Sequence, residues 1–197
     1  MGKKASNETE SSDNPLEGLK AYLEEHQFDS VFVRENGKDA LWCLFLFKDR
    51  NVVGKITENE TYEFQLVTPD GPSEKIHKVN VNFLCPEFNL KEVMTQMKRV
   101  AKGKKEIEGP HFSPHFRNHI KNKSLFPLMN RKEVLFFTLL GGEVLRGIID
   151  GFSRFEIYLN MKRGTPVVIL RHAVLDVRDK KNQSYLKKVV HKRGKYW

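Results

Sequence analysis

The sequence predicts a mainly β protein made of two small, strongly bent, five-stranded antiparallel barrels, each with a short N-terminal helix. Three observations carry this. Residues 131–179 fall into five short apolar or alternating stretches. Gly141, Gly142 and Gly147 stand at their corners, where a sheet that bends back on itself needs residues without a side chain. The same order of features also occurs earlier in the chain, over residues 40–85.

The 197 residues suit one or two small domains. Hydrophobic residues make up 39% and charged residues 30%, as in an ordinary globular chain, but the formal net charge is +9. That charge points to a polyanionic partner, nucleic acid before membrane, or else serves solubility. No apolar run approaches the roughly 20 residues that cross a bilayer, and residues 1–14 lack the hydrophobic core of a signal peptide. Cys43 and Cys85, the only cysteines, lie in apolar strand patterns and are expected as buried free thiols in a reducing cytoplasm.

In chain order, residues 1–14 are polar, without apolar periodicity, and are expected to be disordered. Pro15 opens an amphipathic helix with Leu16, Leu19 and Leu23 on one face. Residues 28–33 read as a short strand, and Asn36-Gly37 as a turn. Strands follow at 40–47, 52–56 and 63–67, with Lys48-Asp49 as a turn; residues 75–85 supply the last strands. Asn89 with Glu92 has the form of a capping box. Leu90, Val93, Met94, Met97, Val100 and Ala101 then make one apolar helix face. From Lys98 the chain turns basic, with Lys98, Arg99, Lys102, Lys104, Lys105, Arg117, Lys121 and Lys123 against Glu106 and Glu108. Residues 110–116 interleave Phe112 and Phe116 with His111 and His115, so this stretch is either a solvated linker or an RNA-contacting arm. Residues 124–129 read as a lead-in to the second barrel, whose strands are placed at 134–140, 144–149, 156–160, 167–170 and 173–177. In the third of these Glu156 points outward while Ile157 and Leu159 point inward. Residues 180–197 are a basic tail carrying Tyr185, Tyr196 and Trp197, with a short helix over 184–191. Those aromatics either stack on bases or belong to a solubilising extension. The organisation expected is a disordered N-terminus (1–14), a first barrel (15–86), a helix and basic linker (87–124), a second barrel (125–179) and a basic tail (180–197).

Moving the first barrel forward by ninety-three residues sets Gly54 on Gly147, Ile56 on Ile149, Tyr62 on Phe155, Glu63 on Glu156 and Leu66 on Leu159. With two extra residues in the second copy, His77 then falls on His172 and Val79 on Val174.

The second barrel resembles the bacterial Sm-like family of Hfq over about fifty residues. The resemblance rests on V-L-x-G-x-I-x-x-F, then F-x-I-x-L, then V-V-x-x-R-H-A-V, with Gly142, Gly147, Phe152, Phe155, Ile157, Leu159, His172 and Ala173 kept. It departs at Ser153, where Asp is usual, and at Arg171, where Lys is usual. The resemblance implies that Phe155 stacks on a uracil near a ring pore, with Arg171 and His172 contacting base and phosphate and Arg154 beside them. It puts Tyr62 and His77 at the matching site of the first barrel, where Lys75 and Lys78 flank His77 without falling on the cation's position. Thr138 and Val144 replace the Tyr and Lys of the family's adenine-rich site, so no such site is implied, and the Gln-Asp pair that helps hold uridine ends has no match.

The expected function is binding of U-rich single-stranded RNA in post-transcriptional regulation, as an RNA chaperone, by a cytoplasmic homo-oligomer. Strands 167–170 and 173–177, with their counterparts near Lys75 and Val79, are the expected open edges. Two barrels per chain would close a pseudo-hexameric ring as a trimer. The alternative is a ring scaffold for protein–protein interaction with lost or weak RNA binding. No catalytic set, cofactor, zinc ladder or membrane partner is expected. His111 and His115 lie in a proline-bearing loop that gives the two rings no common aim at a metal. If the tail contacts RNA, affinity falls with salt by a slope of about −0.7 per phosphate contacted, and deleting residues 187–197 flattens that slope in a salt titration.

Overall fold

The computed structural model describes residues 14–100, 110 and 117–186. The expected disorder of residues 1–13, the cations Lys102, Lys104 and Lys105, the run 111–116 and the tail beyond Leu186 lie outside the described residues, as does Ala101. The architecture is mainly β. The helices are α1 (Leu19–His26), α2 (Val31–Arg34), α3 (Leu90–Gln96) and α4 (Asn122–Asn130). The strands are β1 (Trp42–Leu46), β2 (Arg50–Thr57), β3 (Glu63–Val67), β4 (Glu74–His77), β5 (Val81–Pro86), β6 (Lys98–Arg99), β7 (Val134–Leu139), β8 (Glu143–Phe152), β9 (Glu156–Met161), β10 (Pro166–Leu170) and β11 (Val174–Arg178). They form one antiparallel sheet in the order β11-β7-β8-β9-β10-β5-β1-β2-β3-β4, with β6 added alongside β8.

The first and second groups of five strands share one internal order and one register. Trp42 faces Gly54 as Leu135 faces Gly147. Phe64 faces Ile76 as Ile157 faces Ile169, and Leu46 faces Val81 as Leu139 faces Val174. Even the irregularity in the last pairing recurs, between Phe45 and Leu46 and again between Val174 and Asp176. The spacing is constant to the end, which corrects the sequence alignment. The 3-10 turn Lys78–Asn80 corresponds to Arg171–Ala173, so Lys78, not His77, stands where Arg171 stands, and His77 matches Leu170. Gly54 and Gly147 are fixed by this packing. A Cβ on Gly147 would lie 2.5 Å from the Asn160 carbonyl oxygen, and one on Gly54 would lie 2.7 Å from that of Val67.

The two groups join through β10 and β5, with Val168 opposite Leu84 and Ile169 opposite Phe83. β10 is therefore an internal strand rather than the open edge expected, because β5 takes its free hydrogen-bonding side. Around this joint both faces of the sheet are covered. Cys43, Phe45, Phe83, Cys85, Val167 and Ile169 enter one apolar core, while Trp42, Leu44, Leu46, Val81, Leu84, Val168 and Leu170 enter the other. That is why β1 reads as an unbroken apolar run, and β5 as one interrupted only by Asn82, instead of alternating. Cys43 and Cys85 face each other across β1 and β5 as buried free thiols, and burial pushes them up to about 11 and about 12.

Several local expectations differ. Residues 28–33 are not a strand: Val31 and Phe32 open α2, whose first N–H is taken by the Glu156 carboxylate, and both side chains are buried. Glu156 does not point outward; it is 1% exposed and caps α2 from a distant part of the chain. Its carboxylate accepts from the Val31 N–H (2.8 Å), the Ser30 hydroxyl (2.7 Å) and the Tyr158 hydroxyl (2.8 Å). Burial pushes its pKa up, and these donors hold it down. Helix α1 starts at Leu19 rather than Pro15, because Gly18 is left-handed (φ 81). It crosses onto the second group of strands, where the Tyr22 hydroxyl bonds to both the N–H and the carbonyl of Phe152. The Asn89 capping box does not form; Glu92 accepts from Gln96 instead. On α3 only Val93 is buried, and Met94 is exposed. Residues 124–129 fall within α4. Ser184 bridges to Arg178 in extended pairing, so the described start of the expected tail helix is not helical.

Replacing Glu156 by Ala leaves the enclosed Val31 N–H without its acceptor, at a cost of roughly 1–3 kcal/mol for each buried donor orphaned. Glu63, its counterpart in the first group, is half-buried and pairs with Lys75 at the surface, so Glu63→Ala is expected to cost under about 1 kcal/mol. Urea unfolding of both variants checks the contrast; equal losses would remove Glu156 from the joint.

Candidate nucleic-acid interface

The two 3-10 turns and the strand turns before them build two equivalent surface sites. At the second, the Arg171 N–H donates to the Phe155 carbonyl (2.9 Å). At the first, the Lys78 N–H donates to the Tyr62 carbonyl (2.8 Å). Each turn is thereby fastened beneath an exposed aromatic ring: Phe155 is 60% and Tyr62 70% exposed. A large apolar ring held in solvent by its own backbone is available as a stacking platform. At that exposure Phe155 is not a core residue.

A guanidinium stands beside one ring and an imidazole beside the other. The Arg154 guanidinium lies 5.3 Å from the Phe155 ring centroid. Tyr62 lies nearly parallel to His77, with centroids 6.3 Å apart and planes at 15°. Ser153, at the departure from the Asp usual in the family, accepts from the Glu156 N–H at 3.2 Å and so still closes the turn before β9.

Arg171 and His172 are brought to the site, but their side chains face inward. Arg171 donates to the Ser153 carbonyl (2.8 Å), the Asn122 side chain (2.9 Å) and the Ile120 carbonyl. Burial lowers its pKa to about 10, which leaves it cationic at neutral pH. It fastens the start of α4 to the turn that carries Phe155. Lys78 does the matching work in the first site, donating to the carbonyls of Glu60 and Thr61 and lying 5.3 Å from the Phe32 ring centroid. Glu60 occupies the place of Ser153, so the two cations hold equivalent carbonyls. The sequence reading named Lys78 beside His77 but did not place it at the cation's position; the constant repeat spacing was the signal that would have done so.

His172 lies at the joint of the two sites, against the backbone of Val79 and Val81, with His77 and Arg117 as charged or chargeable neighbours. Its Nε2 is buried with no hydrogen-bond partner among the described residues. Desolvation first, then Arg117, holds its pKa down to about 4, so the ring is neutral at pH 7. The two sites therefore adjoin, and the line between them passes over His172.

Among the described residues no group of three or more His, Cys, Asp or Glu is arranged to hold a metal ion, and no helix is long and apolar enough to cross a membrane. Comparison with protein-family models, curated proteins and solved structures finds no match to the chain.

A histidine whose folded pKa is lowered stabilises the fold in its neutral form. The unfolded chain, titrating near 6.5, takes up the proton first, so stability is complete above that pH and is lost as pH falls towards 4. The loss attributable to His172 is at most about 3 kcal/mol. Urea unfolding at neutral pH and near pH 4.5 is expected to show a smaller difference for His172→Gln than for the unsubstituted chain.

Proposed function

We propose that the protein binds U-rich single-stranded RNA through paired sites on two Sm-like barrels of the Hfq type, acting in post-transcriptional regulation. The observation that carries this reading is the repeated platform: Tyr62 and Phe155, at equivalent positions, each exposed and each held by the backbone N–H of a following cation. Stacking on aromatic faces and attraction to nearby cations are the two terms by which proteins hold single strands. The strand order β5-β1-β2-β3-β4 and its repetition as β11-β7-β8-β9-β10 support the barrel pair. In this reading Phe155, Arg154, Tyr62 and His77 touch RNA, while Arg171, Lys78 and His172 position them. Three chains would place six such sites around a ring, each chain joined to the next at β4 and β11.

One observation favours a second reading, a scaffold that binds proteins: Arg171 and His172 turn their side chains into the fold. Titration of fluorescent U-rich and A-rich oligonucleotides separates the two. Phe155→Ala is expected to weaken U-rich binding by roughly 1–3 kcal/mol, with melting temperature nearly unchanged. Tyr62→Ala is expected to cost a comparable amount, because Lys78 supports it as Arg171 supports Phe155. Equal binding of both oligonucleotides, untouched by either substitution, would leave the scaffold reading.

A further inference from the structure

The constant repeat fixes what a second β10–β5 joint would consist of. In the joint already present, Ile169 faces Phe83 and Val168 faces Leu84. The counterparts of β10 and β5 are β4 and β11, the two ends of the sheet. Transposed, Ile76 would face Asp176, Lys75 would face Val177, and one step further Glu74 would face Arg178. Within one chain these strands lie at opposite ends, so the pairing requires a second copy.

Three features suit those two edges to each other. Beside β4 runs a cleft of about 510 Å³ whose walls include Leu46, Phe47, Ile76 and Arg50. At the internal joint Asn82 approaches Glu143, the counterpart of Arg50, with its amide 3.4 Å from the carboxylate. The counterpart of Asn82 is Leu175, which is 40% exposed on β11. The transposed register also sets Glu74 directly opposite Arg178, a cross-strand pair of opposite charge.

The β11 edge is already occupied. The Tyr185 N–H donates to the Val177 carbonyl (2.9 Å), and Ser184 bridges to Arg178. The Ser184 hydroxyl donates to the Asp176 carboxylate (2.6 Å), and Tyr185 and Leu186 pack against the core. Val177 is the counterpart of Leu84, one of the β5 residues in register with β10. The chain's own residues 184–186 thus lie along β11 at the place that β10 takes on β5.

We infer that residues 184–186 are a resident competitor for the outer edge of β11, the edge at which the three-chain reading joins β4 of the next copy. The unit is a strand, the bonds are main-chain bonds, and the tail and the incoming β4 exclude each other. Such a joint is heterologous and propagates from copy to copy until it closes. The inference deepens the three-chain reading given above by naming what regulates its assembly; it does not depend on RNA binding.

The test is sedimentation velocity and native mass spectrometry on the full chain and on a chain ending at Gln183, over a range of concentrations. The shortened chain is expected to assemble at about tenfold lower concentration or less, since removing a competitor raises the apparent affinity by mass action. In the shortened chain Arg178→Glu is expected to weaken assembly, and Glu74→Arg combined with it to restore assembly; melting temperatures confirm that each variant is folded. If both lengths assemble alike, the tail is no competitor and the three-chain reading stands. If neither assembles, both fall. If the shortened chain assembles but the charge exchange fails to restore Arg178→Glu, the β4–β11 pairing is overturned.

Discussion

The structure depends on the pairing of β10 with β5 and on the carboxylate that seals it. Main-chain pairing brings the two groups of strands edge to edge. Glu156 then reaches across and takes the Val31 N–H and Ser30 hydroxyl, fixing the start of α2 in the first group to β9 in the second. Burying a carboxylate is costly unless its oxygens are satisfied, and here donors from both groups share the task. Helix α1 adds a second crossing, since Tyr22 closes on Phe152. With the sheet covered on both faces at this seam, β10, β5 and β1 send alternate residues into two cores.

The joint also explains why the candidate sites adjoin. The turn Arg171–Ala173 ends β10, and His172 therefore meets the backbone of Val79 and Val81 at the start of β5. Each aromatic platform is held by its own turn, but their separation is set by the seam. A change that slackens the seam would move one platform relative to the other while leaving both intact.

Much of this was legible in the sequence, because most of the signals are local. Strand and turn positions follow from period-two patterning and from glycines, and Phe155 could be singled out by its place in a motif. Glu156 could not be read correctly. Alternation with Ile157 assigns it outward, and only the arrival of Ser30 and Val31 makes that outward face an interior one. The same contact decides that residues 28–33 are helical at their end. The misplacement of His77 on His172 has a different origin: matching one histidine to another outweighed a spacing that is in fact unbroken, and it hid Lys78. The inward turn of Arg171 was illegible because its acceptors at Ile120 and Asn122 lie just before α4 and at its first residue, where the sequence carries no pattern that fixes their direction.

The separation of Phe83 from Ile169 along the chain has a consequence for synthesis. During translation β5 is finished long before β10 exists, so its outer edge and the apolar residues flanking it stay uncovered until about residue 170 has left the ribosome. A nascent chain in that interval carries an unpaired, largely apolar strand edge, the kind of surface that recruits other strands or chaperones. Pairings between residues this far apart also close slowly, since the intervening loop must first lose its freedom. The seam between the two groups thus forms late, and the wait for β10 is a stage of biogenesis exposed to misassembly.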